Sequence, residues 1–340
     1  MKKFKNILIL SIVVLISSCG GPTINVDEEE EYLTFNKGVV YYKGEIFNGT
    51  LETYHKNGNK ELKGSISIEE GKKNGYAKEF YENGELKESI SWKKGKKDGL
   101  SEEYLFKEDQ SGNTLDETYL HKRDSYKEGK KDGLSEEYDF EIVVLNVDDK
   151  GEPNFKEITY LEKKKYYKDG KLEGQYEDYW NDGSIRTKVK YVNGKKEGVE
   201  ERFWSGGEDL MHKVNYINGK REGSYIEYNV NNSIYKKLNY KNGKFNGPYE
   251  YYFYNGQLKE KGEYIDNIKF GRFEKYFENG QIHKIIHCNI ENSTNYDGPY
   301  EEYYENGQLK IKTNYRRGYK YGNYEEYDEN GQLIKKDRFY

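Results

Sequence analysis

Several things are scarce in this 340-residue chain, and each scarcity excludes something. There are two cysteines, Cys19 and Cys288, so no disulfide framework staples the fold. Only one long apolar run exists, Ile7 to Ile16, and its ten residues are too few to cross a bilayer as a helix, which needs about 20. Basic excess is missing: 56 Lys and Arg face 61 Asp and Glu, with no basic stripe, which removes a nucleic-acid reading. Enzyme signatures are missing too: no Gly-x-Ser-x-Gly, no His-Glu-x-x-His and no phosphate loop. Hydrophobic residues make up only 34%, which alone would point toward disorder.

What is there points the other way. The chain holds 37 Tyr and 36 Gly. Tyr packs its ring and keeps its hydroxyl wet, which suits a thin sheet without a deep core. Tyr-rich runs punctuated by Gly favour strands and turns over helices.

The chain also repeats itself. A glycine followed five residues later by an aromatic recurs at Gly49, Gly75, Gly99, Gly133, Gly174, Gly198, Gly223, Gly247, Gly271, Gly298 and Gly322. The paired aromatics run from Tyr54 and Phe80 to Tyr303 and Tyr327, and the common interval is close to 24 residues. A fixed period of this size marks an array of small units, each stacked on its neighbours.

The unit reads as one β-hairpin. From Gly298, the segment Pro299 to Tyr304 is a strand, Glu305-Asn306-Gly307-Gln308 a turn, and Leu309 to Tyr315 the returning strand. Asn-Gly predicts a type I′ turn here and at five further copies, such as Asn255-Gly256, with Asp182-Gly183 as a variant. Segments such as Gly95-Lys96-Lys97-Asp98-Gly99 are expected to turn each hairpin into the next. The anchor glycines should need positive φ or close backbone approach. Glu stands three residues after the anchor in nine of eleven units, and Tyr recurs seven residues before the next anchor, as at Tyr216, Tyr240 and Tyr264. Stacked units turn these positions into aromatic ladders.

The expected fold is all-β: an elongated single-layer antiparallel meander of repeated hairpins. Its roughly 22 strands at about 4.8 Å spacing would extend on the order of 100 Å. The pattern Gly-x-Tyr-x-x-Tyr-x-x-Asn-Gly-x-Leu, then Tyr-x-x-Gly-Lys-x-x-Gly, resembles the bacterial variant of the MORN repeat over residues 35–340. It also resembles antitoxin components of toxin–antitoxin modules. That resemblance implies an array-type scaffold or binding surface, and it is specific for fold rather than for partner.

The N-terminus reads as an address. Lys2, Lys3 and Lys5 precede the apolar run, and Ile16-Ser17-Ser18-Cys19 resembles a bacterial lipobox. Residues 1–18 are therefore expected to be a lipoprotein signal peptide, with Cys19 as the lipid attachment site. Residues 19–34, carrying the acidic run Asp27 to Glu31, are expected to be a solvated tether, with an acidic sorting signal as the alternative. Cys288, left without a partner, is expected to be a buried or half-buried free thiol.

Two intervals break the period: Gly99 to Gly133 is 34 residues and Gly133 to Gly174 is 41. Residues 35–340 thus form the array, with long hairpin insertions at about 105–120 and 140–160. The second tip holds Asp148, Asp149, Lys150 and Pro153, the candidate partner contacts, and behind it sits the apolar run Ile142 to Leu145. A tolerated loop insertion is the alternative. His283 and His287 lie four apart, which on a strand is about 13 Å along one face, so no metal site is expected.

No cofactor is expected and no enzyme, because the carboxylates fall in the repeating slots where no catalytic pair can be singled out. The functional expectation is non-catalytic protein binding. One form is an antitoxin or immunity-type lipoprotein of the bacterial envelope, membrane-anchored and periplasmic or surface-exposed. The other is an envelope scaffold or surface adhesin that binds protein, lipid or glycan.

Overall fold

A computed structural model of the chain describes residues 21–108, 114–147, 153–289 and 296–340. Contacts divide it into two units. The first holds residues up to 108 together with 114–118 and 126–129; the second holds 119–125 and residues from 130 onward. Both are built of antiparallel hairpins. In the first, Gly49–Tyr54, Leu62–Glu69, Lys72–Phe80 and Leu86–Lys93 pair in sequence order. In the second, the meander runs from the pair Lys130–Val147 and Pro153–Lys168 to Tyr319–Tyr327 and Leu333–Phe339. Helix is confined, among the described residues, to Val26–Glu29 and a 3-10 turn at Glu30–Tyr32.

The turns differ from the sequence expectation in an informative way. At Asn306-Gly307 only the glycine has positive φ. Gly307 N donates to Tyr304 O at 2.9 Å and Tyr304 N to Gln308 O at 2.9 Å, a three-residue loop with the glycine in the left-handed region. The asparagine is selected by its side chain instead. Asn306 Oδ1 accepts from Gln308 N at 2.9 Å, and its amide donates to Glu329 O of the next hairpin at 2.9 Å. Asn255 and Asn279 repeat both bonds. Type I′ geometry appears at the other connection, where two successive residues have positive φ: Lys94-Gly95, Asn193-Gly194, Asn218-Gly219 and Asn242-Gly243. The turn glycine there donates to the preceding unit, as Gly219 N does to Lys196 O at 2.9 Å. The residue before the anchor completes the joint: Glu197 accepts from Asn218 N at 2.8 Å and Glu222 from Asn242 N at 2.7 Å.

The anchors therefore stand inside strands rather than in turns. All eleven have positive φ, from 76° at Gly223 to 155° at Gly49. Gly75, Gly99, Gly198, Gly223, Gly271 and Gly322 sit where the register to the preceding strand slips, as between Lys312 and Asn314 opposite Gly322. A bulge there needs one residue in the left-handed region, which glycine supplies without a Cβ penalty. On its other side the anchor pairs with the ladder aromatic: Gly223 with Tyr240, Gly247 with Tyr264, Gly298 with Tyr315.

The core lies on one face. Two residues beyond the anchor, Tyr225, Tyr249, Phe273, Tyr300 and Tyr324 are buried. Their cross-strand partners are smaller: Leu238 for Tyr225, Gly262 for Tyr249, Ile286 for Phe273 and Thr313 for Tyr300. The rings meet the ladder tyrosines, with Tyr249 and Tyr264 centroids 4.7 Å apart and Tyr300 and Tyr315 5.4 Å apart. Such pairs contribute about 0.5–1.5 kcal/mol each beyond the area they bury. Cys288 stands in the ladder-tyrosine place opposite Gly271, buried and free.

The start of the chain departs from expectation. Residues 23–34 are not a solvated tether. Thr23–Asn25 pairs in parallel with Thr50 to Glu52, and Ile24 and Leu33 are buried with Val40, Phe47, Leu51 and Ile68. Nor do residues 35–46 begin the array; Leu33–Asn36, Val39–Tyr42 and Glu45–Ile46 form a separate three-stranded sheet. Two buried apolar side chains flanking the acidic run were enough to fold it down.

Candidate functional site

The face opposite the core carries a repeated polar device. In most units the Glu three residues past the anchor accepts a hydrogen bond from the Tyr two residues later: Tyr54 to Glu52 at 2.6 Å, Tyr179 to Glu177 at 2.6 Å, Tyr303 to Glu301 at 2.7 Å, Tyr327 to Glu325 at 2.9 Å. A two-residue step places both on one face of the strand. Lysines of the neighbouring strand close the arrangement. Lys312 lies 3.1 Å from Glu301, and Lys237 bridges Glu250 at 3.1 Å and Tyr252 at 3.0 Å. Burial, then the hydrogen bond to Glu301, pushes Tyr303 up to about 12. The Glu301 carboxyl falls below the usual range, first through that Tyr303 bond and then through Lys312. This surface is a ladder of satisfied pairs rather than a set of free acids.

One unit breaks the core pattern. Glu200 occupies the slot where neighbouring units place Tyr176 and Tyr225, and it is buried. Lys196 bonds it, Tyr216 Oη lies 3.5 Å away and His212 Nε2 3.9 Å. Burial alone would raise this carboxyl, yet the nearby His212 imidazole and the Lys196 ammonium bring it down to about 2. A cavity of about 220 Å³ borders it, lined also by Tyr191 and Arg202.

The long hairpins are present as extended strands. Lys96–Glu108, Thr114–Lys127, Lys130–Val147 and Pro153–Lys168 run to 13, 14, 18 and 16 residues. The last two stay paired from Gly133 opposite Tyr167 to Val147 opposite Pro153. Asp148, Asp149 and Lys150 lie outside the described residues, as does Cys19 with the whole of residues 1–20. Pro153 opens its strand. Just behind the tip, Leu145, the end of the apolar run noted in the sequence, and Phe155, which sequence reasoning passed over, are 61% and 51% exposed. Their signal was an apolar residue at the end of a strand with no next unit to cover it.

The two histidines are engaged separately. His283 stacks on Phe277 with centroids 4.4 Å apart, and His287 Nδ1 lies 2.9 Å from Pro299 O.

This bulged hairpin, stapled to its neighbour at both turns, has a counterpart among known families. Five segments match the MORN repeat variant. They are residues 73–94, 245–266, 271–287, 296–317 and 320–340. The MORN matches fall on the regular units, and the long hairpins lie outside them. No curated protein matches the chain. Among solved structures, a crystal structure of TcdB2-TccC3 is similar at 9% identity and a TM-score of 0.16, covering 90% of this chain and 18% of that one. A crystal structure of TcdB2-TccC3-Cdc42 shows 10% identity and a TM-score of 0.12, covering 81% and 20%. The chain thus spans about a fifth of the length of those structures.

Proposed function

We propose that this MORN-repeat chain is a non-catalytic protein-binding lipoprotein of the bacterial envelope, an immunity-type or antitoxin-like protein that captures one cognate toxin. The observation that carries the binding part is the hairpin Lys130–Val147 and Pro153–Lys168, which outreaches strands of six to nine residues and exposes Leu145 and Phe155. Isolated apolar side chains are ordinary on a surface, but two on one projecting hairpin give a partner anchor points. The Glu, Tyr and Lys pairs of the regular units are already satisfied, which leaves them a supporting role.

The lipid part rests on the lipobox-like Ile16 to Cys19. Anchoring there would hold the array in the periplasm or at the surface, where an immunity protein against a secreted toxin is needed. A second reading, an envelope scaffold or adhesin for protein, lipid or glycan, is favoured by exposed ring faces at Tyr76, Tyr254 and Tyr319.

Affinity capture from native cells followed by mass spectrometry tests the proposal. One stoichiometric partner whose toxicity the chain relieves supports immunity. Recovery of diverse envelope proteins, or of the chain alone, contradicts it and favours the scaffold. Metabolic labelling with a palmitate analogue tests the anchor, since Cys19→Ala must abolish the label.

A further inference from the structure

The first unit carries an open cleft of about 660 Å³ that no regular repeat explains. Its origin is a missing ring. Two residues past Gly75, where the second unit places Tyr225, Tyr249 and Tyr300, stands Ala77. Ala77 pairs with Ile66 on one side and Ile90 on the other, so the vacated volume is walled by aliphatic side chains. Leu51, Ile68 and Trp92 extend the apolar wall, and Phe35 of the small three-stranded sheet stands at its margin. The volume falls within the range of small-molecule sites, and apolar walls with a few polar groups are their usual construction.

The polar groups at one border are of one sign. Glu79 and Glu88 are direct cross-strand partners, and Glu88 in turn faces Glu103. Like charges placed directly opposite destabilise a sheet. At the equivalent slots of other units the pairs differ: Glu227 meets Lys236, 2.8 Å apart, and Lys275 meets Lys284. Here Lys87 reaches Glu79 at 3.0 Å and also feels the Glu88 charge, while among the described residues no ion pair is formed on Glu88 itself. Lys63 and Lys78 also border the cavity, but they alternate with Gly64 and Ala77 along their strands, so their ammonium groups belong to the opposite face. Lys73 lies on the cavity side but is held over the Trp92 ring at 4.5 Å, at the other end from the carboxylates.

An apolar cleft bordered at one end by two apposed carboxylates has a definite complement. We propose that this cavity binds a cationic amphiphile, a primary amine on a single apolar chain, with the chain against Ile66, Ala77 and Ile90 and the ammonium between Glu79 and Glu88. The bound cation relieves the repulsion that the register imposes. The site lies wholly within the first unit and is independent of the long hairpin of the second.

The test uses the purified chain, with decylamine, decanol and decanoate as probes below their micelle concentrations, followed by tryptophan emission and calorimetry. Decylamine should bind saturably at one site and more tightly than decanol or decanoate. Glu88→Gln should weaken decylamine by about tenfold, the factor expected for losing one charge-assisted bond, and leave decanol unchanged. Ala77→Tyr should abolish binding of all three by filling the cleft. Decanoate binding as tightly as decylamine would overturn the proposal, as would unchanged decylamine affinity in Glu88→Gln. So would probe binding by an Ala77→Tyr protein that melts like the parent. If Ala77→Tyr does not fold, the Glu88→Gln comparison decides alone.

Discussion

Tyr249 and Gly262 are cross-strand partners, and the tyrosine ring occupies the space that a side chain on Gly262 would fill. A Cβ added to Gly262 would lie 2.5 Å from Phe273 Cδ1 and 3.0 Å from Tyr249 Cε1. Tyr249 is among the most buried residues of the chain, at 1% exposure. The thin sheet gains depth by pairing a ring with an empty position and letting the next ring close over it.

Gly262→Ala should therefore lower the stability of the second unit by about 1–3 kcal/mol, the usual cost of overpacking a filled core. A chemical denaturation midpoint measures it. An unchanged midpoint would mean that Phe273 has free room, which its burial denies.

Anchor glycines should divide by their neighbours. Gly99 and Gly223 both have positive φ, at 104° and 76°. A Cβ at Gly99 would lie 2.9 Å from Ser91 Cβ, whereas one at Gly223 meets nothing within 4 Å. Gly223→Ala should cost roughly 1–2 kcal/mol, the left-handed penalty alone. Gly99→Ala should cost clearly more, because Ser91 must also move. Thermal melts of the two variants compare them, and equal losses would contradict the crowding.

Asn306 joins two hairpins. Asn306→Ala removes the bond to Glu329 O and the bond to Gln308 N, which together should contribute about 1–2 kcal/mol. Asn306→Asp keeps the second and loses the first, so it should fall between. Hydrogen exchange in Tyr319–Tyr327 and Leu333–Phe339 should quicken in both variants.

Acid and base should each reveal a paired group. The Glu200 carboxyl is held at about 2 against an ordinary 4.5, so its contribution is present above pH 4.5 and is lost as pH falls through about 2. Glu200→Gln should remove that part of the acid dependence. Tyr303 and Tyr324 are raised to about 12 from 10, through burial and then through Glu301 and Glu326. Their contribution is present below pH 10 and is lost as pH rises through about 12. Tyrosinate absorbance should therefore rise together with unfolding. Subtracting the titration of Tyr303→Phe or Tyr324→Phe from the parent's isolates each group, and a difference step near pH 10 in a folded chain would contradict the ladder.

Much of this architecture was legible from spacing. The glycine and aromatic pairs mark the strands because the period of a repeat survives even where single residues vary. What escaped was the job of particular residues. Asn306-Gly307 looks like a type I′ pair by composition, yet only Gly307 leaves the right-handed half of the map, and Asn306 is chosen for its amide. The row at Tyr225, Tyr249 and Phe273, which forms the core, was overshadowed by the more regular aromatic three residues further on. Ile24 and Leu33 were hidden by the acids around them, although two buried side chains outweigh a short solvated run. The long hairpins were visible as broken intervals; their exposed Leu145 and Phe155 required knowing where the neighbouring unit ends.

The central claim is that the chain works by presenting its long hairpin to a protein partner. Affinity capture with the parent, with Leu145→Asp plus Phe155→Asp, and with a hairpin shortened to the 24-residue period tests it most directly. The doubly substituted chain should melt as the parent does, since both positions are exposed, and both altered chains should fail to recover the partner. Recovery of the same partner by the shortened chain would contradict the account and move binding onto the regular faces of the array.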